Sequence, residues 1–153
     1  MATYRAEKLR NADGKRDERK MVGTNVQIGK YMFTSTHAAA DVFQMVALPK
    51  GATVFNVRLW CDGYDTDSTQ ELGLSVGDGG NASRYISKTT IGQSGGNATF
   101  DSGVELPHSY TSAADTIDVT IGSAAGVAAF TNKYMYLTVT YSVDESDYIH
   151  AGS

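Results

Sequence analysis

From Thr24 onward the chain alternates apolar and polar residues with a period of two, the pattern of strands with one buried face. The alternation starts in NVQIGKYMF, where Val26 and Ile28 share a face. Asp41 to Leu48 (DVFQMVAL) is a mostly apolar run closed by LPKG, in which Pro49 suits the second position of a type I turn and Gly51 the fourth. ATVFNVRLWC then sets Phe55, Val57, Leu59 and Cys61 on one face, with Asn56 and Arg58 on the other. A turn at Asp62 and Gly63 extends into the polar loop YDTDSTQ, and ELGLSV brings Leu72, Leu74 and Val76 into line. SRYIS reads as a short strand before the Gly/Ser-rich IGQSGGNAT, and TFDSGVEL as a strand before Pro107. TIDVTIG alternates through Ile117, Val119 and Ile121, and SAAGVAAFTN reads as a small-residue loop or short helix. The strongest strand signal is KYMYLTVTYSV, with Met135, Leu137, Val139, Tyr141 and Val143 on one side. About eight closely spaced strands and no long helix predict an all-β fold, an antiparallel β-sandwich of jelly-roll-like character.

The first twenty-odd residues break this pattern. Leu9 and Met21 stand nearly alone among charges, so residues 1–23 are expected to form an extended basic arm and 24–153 the sandwich domain. Charge separates the two. Residues 1–20 hold seven Lys/Arg against four acids, a net +3, while the remainder carries −7 and the whole chain −4. Sixteen glycines against two prolines suit short strands and tight turns. At 153 residues one domain is the simplest reading. There is no apolar signal-peptide core and no run long enough for a membrane helix, so a soluble protein made in a cytoplasm, with no membrane partner, is expected. The sequons at Asn81 and Asn97 are then chemically idle.

The one pattern suggesting a cofactor is LGLSVGDGGNASRY, in which Gly77, Gly79 and Ala82 fit G-x-G-x-x-A. A dinucleotide site needs those glycines to open a helix whose free N–H groups hold the pyrophosphate. No helical stripe follows here, so GDGG reads as a turn, its glycines supplying positive φ and Asp78 bonding back to nearby N–H groups; no cofactor is expected. Asp62, Asp65, Asp67 and Glu71 are the best metal candidates, but their spacing fits no calcium loop and a solvated acidic loop is expected, with no metal. His37, His108 and His150 have no ligand-spaced partners and read as surface residues; Asp115 and Asp118 read as solvent-facing. Cys61, the single cysteine, reads as a small buried thiol. None of these groups assembles a catalytic site, and an enzyme is not expected. Seven cations in the arm could attract nucleic acid, but the interleaved acids and a lone aromatic, Tyr4, favour a protein surface. Trp60, Tyr64 and Tyr85, if exposed together, would offer a sugar-stacking platform for a carbohydrate-binding adhesin.

The run DVFQMVALPKGATVFNVRLWCDG followed by LGLSVGDGGNASRYI resembles small virion structural proteins of tailed bacteriophages, of the capsid decoration (cement) or head-associated type. The shared elements are Leu48 to Ala52, then Leu74, Val76, Gly77, Asp78, Arg84, Tyr85 and Ile86, within residues 40–87. The resemblance implies a β-sandwich subunit, often a homotrimer, lying on the major capsid protein at the virion surface, and it carries over no catalytic residue. The basic arm lies outside the shared pattern. Within it, Arg5, Lys8, Arg10, Arg16 and Arg19 are the candidate partner-binding residues. A neck- or tail-associated position is the alternative within the virion.

Overall fold

The structure is a computed structural model that describes residues 1–5, 23–67 and 72–143. In chain order its elements are β1 (Thr3–Arg5), β2 (Gly23–Met32), β3 (Val42–Leu48), β4 (Ala52–Cys61), β5 (Gly73–Gly77), β6 (Ile86–Thr89), the one-turn α1 (Ile91–Ser94), β7 (Gly96–Thr99), β8 (His108–Tyr110), β9 (Asp115–Ser123) and β10 (Tyr134–Val143). They form two facing sheets, one in the order β1-β3-β9-β5-β6 and the other β2-β10-β4-β7. β8 extends the second sheet beside β7, pairing with Ala52–Val54 while β7 pairs with Arg58–Cys61. Every pairing is antiparallel except β1 with β3. The fold is thus an all-β sandwich, with ten strands among the described residues. Among the described residues no helix is long and apolar enough to cross a membrane.

The core follows the period-two stripes. β10 buries Met135, Leu137, Val139, Tyr141 and Val143, and β9 buries Ile117, Val119 and Ile121 against Leu74 and Val76 of β5 and Phe43 of β3. β4 departs from its expected alternation. Its ladder with β10 slips between Thr140, opposite Asn56, and Tyr141, opposite Val54, leaving Phe55 as an extra residue. Such a bulge shifts the phase of everything beyond it. Val54 and Val57 both point inward, and Phe55, expected in the core, stands 47% exposed.

β2 is turned over relative to the sequence expectation. Asn25 and Gln27 face the core, while Val26 is 56% and Ile28 47% exposed. Two constraints impose this. At Gly29 the backbone of β2 crosses that of β3, and a Cβ there would lie 2.3 Å from the Met45 carbonyl oxygen. Opposite Ile28 and Val26 on β10 stand Thr138 and Thr140, on the outer side of a strand whose inner stripe is fixed. The inward polar group is satisfied: Gln27 Nε2 donates to the Tyr141 hydroxyl at 2.7 Å and to the Ala47 carbonyl at 3.3 Å.

Residues 100–106, expected as a strand, form a loop, with Gly103 at φ 89°. The strands fall on either side, as β7 inside the expected Gly/Ser loop and as β8 after Pro107. Asp118 is the other departure. It lies at the middle of β9 between Gln44 and Gly77 and is buried, its Oδ1 without a hydrogen-bond partner; Asp115 is half-buried. Burial pushes the Asp118 carboxyl up to about 7. Its ionisation is a cost to folding that is absent below its ordinary value of 3.8, grows as pH rises, and is complete above about 7. Asp118→Asn should therefore stabilise the protein by roughly 1–3 kcal/mol at pH 8 and by almost nothing near pH 4, measured by urea unfolding at the two pH values.

Candidate interaction surface

The glycine-rich turn after β5 is a polar hub. Asp78 is buried, and its Oδ1 accepts from the Gly80 and Asn81 N–H groups at 3.0 and 2.8 Å. Its Oδ2 accepts from Arg84 Nε and, at 2.8 Å, from the Tyr110 hydroxyl, which also meets the Tyr85 hydroxyl at 2.6 Å. Burial works to raise the Asp78 pKa, but the bonds from Arg84, Tyr110 and Asn81 outweigh it and hold the carboxyl below its ordinary value. Gly77 is required for space: a Cβ there would lie 2.0 Å from the Asn81 carbonyl oxygen. Neither it nor Gly79 and Gly80 has positive φ, so that part of the sequence expectation does not hold. Arg84 and Tyr85 lead into β6 and not into a helix, so the motif offers no ring of free N–H groups to a phosphate.

The other polar candidates are also spent internally. Asp65, expected in a solvated loop, is buried; its carboxylate accepts from the N–H groups of Asp67, Gly126 and Val127, tying the β4–β5 loop to the β9–β10 loop. Asp62 accepts from the Tyr134 N–H at 2.8 Å. Glu71 and His150 lie outside the described residues. Among the described residues no group of His, Cys and acidic side chains could hold a metal ion. The buried Cys61 thiol is pushed up to about 12 by burial and donates to the Asp62 carbonyl.

His37, expected on the surface, is instead buried in an aromatic cage of Tyr4, Tyr31, Phe33, Phe43 and Tyr64. Neither of its ring nitrogens has a hydrogen-bond partner, and Asp41 Oδ2 lies 3.7 Å from Nδ1. Burial lowers the His37 pKa, and Asp41 opposes that. Tyr4 closes the cage from the N-terminal segment, where the Ala2 N–H donates to Asp41 Oδ1 at 2.9 Å. Thr3–Arg5, expected in the arm, thus form an edge strand of the first sheet, with Arg5 opposite Gln44. Lys8, Arg10, Arg16 and Arg19 lie outside the described residues.

What remains is the outer face of the second sheet. The turned-over β2 and the bulge in β4 leave Val26, Ile28, Met32, Phe55, Trp60 and Tyr136 exposed. Pairing sets Ile28, Thr138 and Arg58 in one row, with Lys30, Tyr136 and Trp60 in the next. A groove of about 690 Å³ runs past Ile28, Trp60, Tyr136 and Thr138 to the Asp62–Gly63 turn and the Ser94–Gly96 segment. Arg58 lies 4.9 Å from the Trp60 ring centre and donates twice to Asn97 Oδ1, while Lys30 caps Tyr134 at 4.5 Å. No carboxylate occupies an outward position on β2, β10, β4 or β7; Asp62 stands at the groove's end. The trio Trp60, Tyr64 and Tyr85 is not brought together: Trp60 is 44% exposed, whereas Tyr64 and Tyr85 are core residues. Sequence reasoning missed this face because it assigned Val26, Ile28 and Phe55 to the core.

Solved structures share this architecture. The chain is similar to one in the capsid of Ralstonia phage GP4, with a TM-score of 0.78 at 17% identity, over 94% of this chain and 99% of that one. It is similar to a chain of the cyanophage Pam1 capsid asymmetric unit, with a TM-score of 0.67 at 29% identity, over 88% and 98%. A third match is to the acidic stable capsid structure of the Helicobacter pylori bacteriophage KHP30, with a TM-score of 0.55 at 18% identity, over 80% and 89%. No protein-family model matches the chain, and neither does any curated protein. The fold is therefore one found in phage capsids.

Because Asp78 holds its proton less tightly when folded, its charge stabilises the fold above its ordinary value of 3.8, and that contribution is lost as pH falls below it. Asp78→Asn should cost about 3 kcal/mol at pH 7, since it leaves Arg84 part-buried without its counter-charge. The gap to the unsubstituted protein should narrow below pH 4 in thermal unfolding followed by circular dichroism.

Proposed function

We propose that this chain is a non-enzymatic structural protein of a phage virion, a capsid decoration or cement protein that stabilises the head by bridging major capsid protein subunits. The observation that carries this reading is the near full-length match to chains of phage capsids, over 94% and 88% of this chain and 99% and 98% of those chains. The use of Asp65 and Asp78 supports it, because both carboxylates are spent on binding loops together.

In this reading the sandwich is a rigid spacer at the capsid surface, assembled as a homotrimer, and the basic segment makes the bridge. Arg5, Lys8, Arg10, Arg16 and Arg19 supply cations to a neighbouring subunit. An extended segment gains contact area without a core of its own, and it loses chain entropy when it binds. The short strand β1 gives that segment a fixed point of departure, because Asp41 and the stack of Tyr4 on Phe43 hold it to β3.

Purified protein added to phage shells that lack it should bind at hundreds of copies per particle, counted by cryo-EM. A dozen copies or fewer would place it at the neck or tail. Replacing Lys8, Arg10, Arg16 and Arg19 by Glu, with β1 left intact, should weaken shell binding about tenfold or more with an unchanged melting temperature. Undiminished binding by that variant would remove the arm from the interface.

A further inference from the structure

The outer face of the second sheet has a chemical complement in the chain's own sequence. The face is apolar, aromatic and basic: Ile28, Trp60 and Tyr136 line its groove, and Arg58 and Lys30 flank it. Among the described residues no ion pair engages either cation. Two of the Arg58 donors go to Asn97, leaving the guanidinium 4.9 Å from the Trp60 ring centre with its remaining N–H groups unspent.

Two long segments lie outside the described residues, 6–22 and 144–153. The first is rich in Lys and Arg and has the same sign as the face. The second reads Asp-Glu-Ser-Asp-Tyr-Ile-His-Ala-Gly-Ser: three acids, no Lys or Arg, and an adjacent Tyr148 and Ile149. Charge and apolar character both select the second.

Length then decides whose segment it is. From Val143, where β10 ends, back to Tyr136 beside the groove is seven residues of strand, about 23 Å. Five extended residues from Val143 to Tyr148 span about 17 Å, before any is spent on the reversal of direction. The backbone at a subunit's own Tyr148 falls short of its own Trp60–Tyr136 row. We propose that this face receives residues 144–153 of a second copy of the chain, with Tyr148 and Ile149 in the groove beside Trp60 and the preceding acids at Arg58 and Lys30. The proposal requires self-association but not a virion, so it stands or falls independently of the capsid role.

Trp60 is the only tryptophan, so its fluorescence reports the groove directly. In the full chain, raising the protein concentration should shift its emission to the blue and cut acrylamide quenching about twofold, as the indole leaves water. A chain ending at Val143, checked for its fold by circular dichroism, should show neither change and sediment as a smaller species. The synthetic peptide 144–153 should restore the protection saturably, and about 0.5 M NaCl should weaken it. In the full chain, Arg58→Glu should remove the concentration dependence without truncation. Two results would overturn the proposal. One is Trp60 emission that does not respond to concentration, truncation or peptide. The other is protection that truncation removes but dilution does not, which would assign the face to the subunit's own segment.

Discussion

The register of β10 against its two neighbours is the constraint on which the other features of this fold depend. β10 is the inner strand between β2 and β4, and its five buried side chains fix which way it faces. Strand side chains alternate strictly, so once β10 is set, each residue paired to it is committed to the core or to solvent. Thr138 and Thr140 look outward, and Ile28 and Val26 must look outward with them. On the other side the bulge at Phe55 lets Val54 and Val57 both join the core, and it sends Phe55 to the same outer face. The exposed apolar surface is a consequence of how the core is registered. It is not a patch that failed to fold.

Two polar clusters complete the sandwich. In one, Asp78 ties the β5–β6 turn to Arg84 and to Tyr110 of β8, thereby linking a strand of the second sheet to a turn of the first. In the other, Asp41 and the aromatic cage around His37 hold β1 against β3. Each carboxylate accepts backbone N–H groups, the kind of partner that fixes a loop's path and not just its position. Both clusters therefore convert buried charge into loop geometry. For a protein proposed to carry load between other subunits, rigid loops at both places are a relevant property.

The sequence displayed the inner stripes of β5, β9 and β10, and of β4 from Val57 onward, because each alternates without competition. It misdirected on β2, where the alternation of Asn-Val-Gln-Ile-Gly points to the phase that would bury Val26 and Ile28. The close approach of Gly29 to the Met45 backbone and the pairing with β10, neither of which a local pattern encodes, select the phase that buries Gln27. The bulge at Phe55 was hidden for a related reason: its cause is the pairing with Thr140 and Tyr141 of β10, far along the chain. His37 looked superficial because its polar neighbours in sequence, Ser35 and Thr36, say nothing about the rings that reach it from β2, β3 and the N-terminus. The Asp78 turn was the most legible part of the chain. Asp-Gly-Gly-Asn announces bonds from the side chain back to the backbone, although its partners Arg84 and Tyr110 emerge only in three dimensions.

An exposed sheet face carrying Trp60, Ile28, Val26 and Phe55 is a liability for a lone acidic subunit, because contiguous apolar surface promotes indiscriminate association. Its two cations change what can associate. Arg58 and Lys30 stand where a second copy presenting the same face would bring like charges together, at a cost that grows as water is excluded. Face-to-face pairing is thereby disfavoured, while an acidic segment with apolar side chains satisfies both the rings and the charges. A contact between unlike surfaces, face to segment, joins copies head to tail and closes into a ring when the rotation permits. In the proposed contact the same two residues that make the face selective also give the association its direction.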